Sequence, residues 1–83
     1  MIYTPLTKKA LALCFTAHKD QTDKSNLPYV FHPFHLAEQM TDEYTTVTAL
    51  LHDVIEDTPV SEGDIKKEFG EEVLELVLGV TKL

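Results

Sequence analysis

Val47, Leu50, Leu51, Val54 and Ile55 recur at the three-and-four spacing of a single helix face. No other stretch constrains the chain as strongly. A stripe of this length needs apolar partners, and the sequence supplies them in helical rather than alternating patterns. Leu6, Ala10, Leu13, Cys14 and Ala17 form a second stripe, Leu36, Ala37 and Met40 a third, and Val73, Leu74, Val77, Leu78 and Val80 a fourth. No two apolar runs flank a tight Asn-Gly or Asp-Gly turn, so hairpins are not expected. The expected fold is all-α, a compact bundle of about five helices.

Punctuation sets the expected boundaries. Thr4-Pro5 combines a capping residue with proline at the first helical position, and starts a helix that ends near Asp20. Gln21 to Phe31 is polar at first and carries Ser25, Asn26 and Pro28, which is loop chemistry. A second helix is expected from His32-Pro33. A third follows Asp42 and runs unbroken to about Asp57, before Thr58-Pro59. Ser61 and Asp64 form a short capping box that opens a helix through about Phe69, which Gly70 ends.

The third helix carries the chemistry. His52, Asp53, Glu56 and Asp57 fall opposite its apolar stripe, with Glu56 one turn from His52 and Asp57 one turn from Asp53. A polar cluster opposite an apolar stripe is ordinarily a solvated face. Here the two preceding turns, Tyr44 to Leu51, hold no charge at all. That pattern argues for burial at the helix start and a cleft at its polar end. Three carboxylates within about two turns repel one another unless a cation intervenes. Histidine with aspartate suits Mn²⁺, Fe²⁺ or Zn²⁺. His32, at a helix start where the dipole disfavours imidazolium, is the natural third ligand. His35 reads as a surface residue, and His18 as a helix C-terminal cation or a packing residue.

Charge and composition exclude other classes. Seven lysines, no arginine and 14 acidic residues give a formal net charge of −7. The basic face expected of a DNA- or RNA-binding module is missing. There is no run of about 18 apolar residues to cross a membrane. The N-terminus lacks a basic region followed by an apolar stretch, so no signal peptide is expected. One cysteine cannot form an internal disulfide, and a cytoplasmic location is expected.

Several segments, in order, resemble the HD-type hydrolase domain of the RelA/SpoT group, which includes the small alarmone hydrolases. Ala17-His18, Gln21, Lys24-Ser25 and Pro28-Tyr29-Val30-Phe31-His32-Pro33 resemble its opening. Ala49 to Thr58, with His52-Asp53 and Glu56-Asp57, resembles its central motif, and Phe69-Gly70 and Gly79 to Leu83 match later landmarks. The resemblance implies a helical bundle and hydrolytic removal of the 3′-pyrophosphate of ppGpp or pppGpp, usually with Mn²⁺. It implies that His32, His52 and Asp53 are metal ligands, that Glu56 and Asp57 position or activate the attacking water, and that Lys24 and Ser25 belong to the nucleotide-binding loop.

The resemblance also has gaps. The family's fourth ligand, an aspartate in a later helix, has no counterpart here, so residues 1–83 are expected to form a single partial HD-type domain, impaired in isolation. No synthetase segment is present, and pyrophosphate transfer from ATP is not expected. Asp23 stands where the family usually carries an arginine that stacks on guanine, and Asp20 and Asn26 stand where it usually carries glycine. The alternative expectation is a non-catalytic helical module that self-associates through the C-terminal helix.

Overall fold

A computed structural model describes residues 1–81, and the side chain of Thr81 lies outside the description. Lys82 and Leu83, the end of the last family landmark, lie outside the described residues. The elements are α1 (Pro5–Ala17), α2 (Phe31–Glu38), α3 (Glu43–Leu51), α4 (Val54–Asp57), α5 (Glu62–Phe69) and α6 (Glu71–Thr81). No named strand occurs among the described residues; one isolated bridge pairs Thr22 with Pro28. The all-α bundle of about five helices is therefore the fold, with the expected third helix in two pieces.

α3 is the central element, packed against α1, α2 and α6, while α5 packs on α6. Val47, Leu50, Leu51 and Val54 are fully buried, and they meet Ala10 and Cys14 from α1, Ala37 from α2, and Val73 and Val77 from α6. Each fully buried aliphatic side chain contributes about 1.5–3 kcal/mol relative to exposure. That is how a chain with its one cysteine free holds together. Ile65 is the one fully buried residue of α5.

The caps follow the expected chemistry. Thr4 accepts from the Thr7 N–H and Thr7 returns the bond, closing a capping box ahead of Pro5. Asp42 caps α3 by accepting from the Thr45 N–H at 2.8 Å. Ser61 and Asp64 close a second capping box. Gly70 ends α5 at φ 93°, a left-handed backbone that an L side chain would strain.

Three boundaries differ from expectation, the first being α1, which closes at Ala17 rather than near Asp20. α2 begins at Phe31, so Pro33 sits third rather than first. The first N–H groups of a helix have no intrahelical acceptor, so Pro33 forfeits nothing there. The larger correction is the break between α3 and α4 at His52-Asp53. His52 Nδ1 lies 2.6 Å from the Ala49 carbonyl, the acceptor that an unbroken helix would give to the Asp53 N–H. A side chain that competes for a backbone acceptor interrupts the ladder. Asp53 then adopts φ −101°, ψ −4°, and the helix resumes at Val54.

Candidate metal centre

The break aims two side chains at the start of α2. His32, His52 and Asp53 each offer one ligand atom, and these atoms lie within 4.8 Å of one another. Asp53 Oδ2 is 3.0 Å from His52 Nε2 and 3.7 Å from His32 Nε2. The two imidazole rings stand 5.6 Å apart. Because the Ala49 carbonyl can only accept, His52 Nδ1 carries the proton there, and Nε2 is the atom turned to Asp53. A backbone partner that fixes the tautomer of a ligating histidine is the usual outer-shell arrangement of metal sites.

The site is sheltered at its base and open at its mouth. The side chains of His52 and Asp53 are 15% and 17% exposed, against 59% for His32. His52 and Asp53 are thus sheltered, unlike an ordinary solvated face. Glu56 and Asp57 are exposed on α4, outside the three-residue cluster. Burial at the start of α3 is incomplete, since Tyr44 and Thr45 are exposed and full burial begins at Thr46. Tyr44, Thr45, Thr48 and His52 join Leu36, Met40, Leu76 and Val80 around a largely apolar cavity of about 360 Å³.

Tyr29, which local pattern did not single out, touches the centre. Its hydroxyl donates to Asp53 Oδ2 at 2.7 Å. Burial, that hydrogen bond and the charges of Asp53 and Asp57 push the phenol well above its usual pKa, so it remains a donor. The ring lies 5.1 Å from that of His18 and 5.6 Å from that of His32. His18 is fully buried, in keeping with the packing residue of the two expectations. Its Nδ1 lies 2.8 Å from Gln21 Oε1, and Gln21 Nε2 donates to the Asp57 carbonyl. His18 Nε2 is buried with no hydrogen-bond partner among the described residues. The signal in the sequence was Tyr29 three residues before His32, one turn of chain.

Lys24 and Ser25 are not gathered into the cluster. They sit exposed on the turn between Thr22 and Pro28. Asp23 builds that turn. Its Oδ1 accepts from the N–H groups of Ser25 and Leu27 at 2.8 and 3.0 Å, and its own N–H donates to the Leu27 carbonyl. Asn26 takes the left-handed conformation, φ 63°, which asparagine tolerates. One oxygen of Asp23 is therefore committed to the loop backbone. His35 is exposed and paired with Glu38 at 2.8 Å, as a surface residue should be.

Two imidazole nitrogens and a carboxylate oxygen form a mixed donor set suited to a divalent transition ion. Ligands held at about 2.1 Å stand about 3.0 Å apart at octahedral angles and about 3.4 Å apart at tetrahedral ones, near the 3.0 and 3.7 Å from Asp53 Oδ2 to the two imidazole nitrogens. The residues present fit such an ion.

The chain is similar to several known proteins. The bifunctional (p)ppGpp synthase/hydrolase SpoT of Escherichia coli K12 is 46% identical over 80 residues, 92% of this chain and 11% of that protein. The guanosine-3′,5′-bis(diphosphate) 3′-pyrophosphohydrolase of Vibrio cholerae is 49% identical over 71 residues, 81% of this chain and 10% of that protein. The chain thus spans about a tenth of the length of these relatives. A solved structure described as a metazoan ortholog of SpoT that hydrolyzes ppGpp superposes with a TM-score of 0.86 at 34% identity, over 98% of this chain and 50% of that one. With the HD domain family matching residues 10–83, a span that takes in all three converging side chains, the chain belongs to the HD domain family.

Proposed function

We propose that this chain is part of a metal-dependent phosphohydrolase that removes the 3′-pyrophosphate of guanosine 3′,5′-bis(diphosphate) or a related nucleotide. Residues 1–83 are read as a partial HD-type domain that works in the cytoplasm, with no nucleic acid or membrane partner. The observation that carries the reading is the convergence of His32, His52 and Asp53 within 4.8 Å, in a family whose relatives bear the pyrophosphohydrolase name.

His32, His52 and Asp53 are assigned as ligands of a divalent ion, Mn²⁺ in our reading. When bound, such an ion supplies Lewis-acid polarisation of a phosphoryl oxygen and lowers the pKa of its water towards neutrality. Glu56 and Asp57 are exposed carboxylates on the short helix that follows the ligand pair. They are assigned to orient the attacking water and take its proton. Lys24 offsets phosphate charge and Ser25 offers a hydroxyl donor, both from the turn held by Asp23.

Purified protein given Mn²⁺ and guanosine 3′,5′-bis(diphosphate) should release pyrophosphate, more slowly than a relative that carries the fourth ligand. His52→Ala should abolish metal uptake. Glu56→Gln should keep metal uptake and lose about 100-fold or more of the rate. Equal rates in Glu56→Gln and wild type would remove that residue from the mechanism.

One observation favours a second reading, a helical module that self-associates through α6. Leu76 and Val80 are 41% and 47% exposed on that helix, beside the apolar cavity. An oligomer that survives chelation, with no pyrophosphate released, would support this reading over the enzyme.

A further inference from the structure

Three side chains converge, yet a carboxylate on a turn can rotate away from them. Asp53 is held by a hydroxyl. Tyr29 Oη donates at 2.7 Å to Oδ2, the same oxygen that lies 3.0 Å from His52 Nε2 and 3.7 Å from His32 Nε2. One lone pair of that oxygen is occupied by Tyr29. This leaves the oxygen turned towards both imidazole nitrogens and fixes the rotation of the carboxylate.

Tyr29 is itself clamped. Its ring sits between those of His18 and His32, at 5.1 and 5.6 Å. The His18 ring is set by Gln21. The Asp57 carbonyl can only accept, so the Gln21 amide nitrogen faces it, and Gln21 Oε1 faces His18 Nδ1. The proton of His18 is thereby placed on Nδ1, and the buried Nε2 is left without a partner. A buried polar atom without a partner is destabilising. The ring stays there because burial and Gln21 hold it against Tyr29. The chain of contacts runs from the end of α1, through the loop, to the ligand pair and on to the backbone of Asp57.

We infer that Tyr29 is a positioning residue for metal capture, holding Asp53 in its ligating orientation, with the His18–Gln21 pair as the clamp that holds Tyr29. The inference rests on the metal-centre reading above. It assigns Tyr29 no contact with substrate.

Tyr29→Phe removes the hydroxyl and keeps the ring against both histidines. Metal-stripped wild type and variant are compared by melting temperature, then titrated with Mn²⁺ by calorimetry and with Co²⁺ by visible absorption. The metal-free melting temperatures should agree within a few degrees. The Mn²⁺ dissociation constant should rise about 10- to 100-fold in the variant, and the Co²⁺ band should shift or weaken. Gln21→Leu, which leaves the Tyr29 hydroxyl in place, should weaken binding by a smaller factor.

Tight binding by wild type with an unchanged dissociation constant in Tyr29→Phe overturns the positioning role and leaves the metal centre standing. No binding by wild type overturns both. Should Tyr29→Phe fail to fold, proton NMR of the wild type carries the test. A hydroxyl held on a carboxylate gives a slowly exchanging downfield proton that moves when Zn²⁺ is added. A Tyr29 hydroxyl in fast exchange with water at every Zn²⁺ concentration overturns the inference.

Discussion

Val54→Ala probes the link between the core and the metal centre. Val54 is fully buried and is the residue immediately after Asp53, so its packing anchors the restart of the helix. Its carbonyl also accepts from the Thr58 N–H at 3.1 Å and the Thr58 hydroxyl at 2.6 Å, which closes α4. The substitution removes two methyl groups. Lost transfer energy is about 0.8 kcal/mol each, and the residual cavity raises the total to about 2–3 kcal/mol. In a domain of this size about 1 kcal/mol moves the melting temperature by about 4–8 °C. The metal-free variant should therefore melt roughly 10–20 °C below wild type by circular dichroism. Mn²⁺ at about 100 times its dissociation constant returns about 2.7 kcal/mol, so the metal-loaded variant should melt near metal-free wild type. A variant that melts within 2 °C of wild type without metal (a threshold of roughly half a kcal/mol) would refute the packing argument. A variant that Mn²⁺ fails to stabilise, while it stabilises wild type, would show that Val54 packing also decides the geometry of His52-Asp53.

Other consequences can be checked separately. Ser61→Ala removes the α5 capping box and should cost about 1 kcal/mol in urea unfolding. Burial and the Asp53 charge push the Cys14 thiol up to about 12, so a thiol reagent at pH 8 should label it only after denaturant is added; labelling of the folded protein at the rate of a free thiol would contradict its burial. Asp42 and Asp64 are held below their ordinary 3.8, chiefly by the backbone N–H of Thr45 and of Ser61. Stability from a lowered carboxylate is complete above the unfolded value and lost as pH falls through the folded one. The melting temperature should therefore fall on acidification below about pH 3.8, and less steeply in Asp42→Asn and Asp64→Asn.

The bundle was legible because helical spacing, caps and breaks agree. Thr4-Pro5, Asp42, Ser61 and Gly70 act where their chemistry places them. The break at His52-Asp53 was not legible, because helix periodicity reports which face a residue occupies and says nothing of a side chain that takes a backbone acceptor. That break converts a face of four polar residues into two sheltered side chains, His52 and Asp53, and two exposed carboxylates. Tyr29 was hidden for a related reason. Its role comes from a contact across 24 residues, to Asp53, and local pattern carries no record of such a contact. Gln21 and His18 are three apart, yet their importance lies in the Asp57 carbonyl, 36 residues from Gln21. Asp23 stood out only as the replacement of a stacking arginine, but it is first a loop builder, with two backbone N–H groups on one oxygen.

We propose that His32, His52 and Asp53 form one metal centre. Titration of the purified, metal-stripped protein with Mn²⁺, followed by calorimetry, is the decisive test. One site per chain, of micromolar dissociation constant or tighter and lost in His52→Ala, is the predicted result. No site, or only millimolar binding that His52→Ala leaves unchanged, would contradict it.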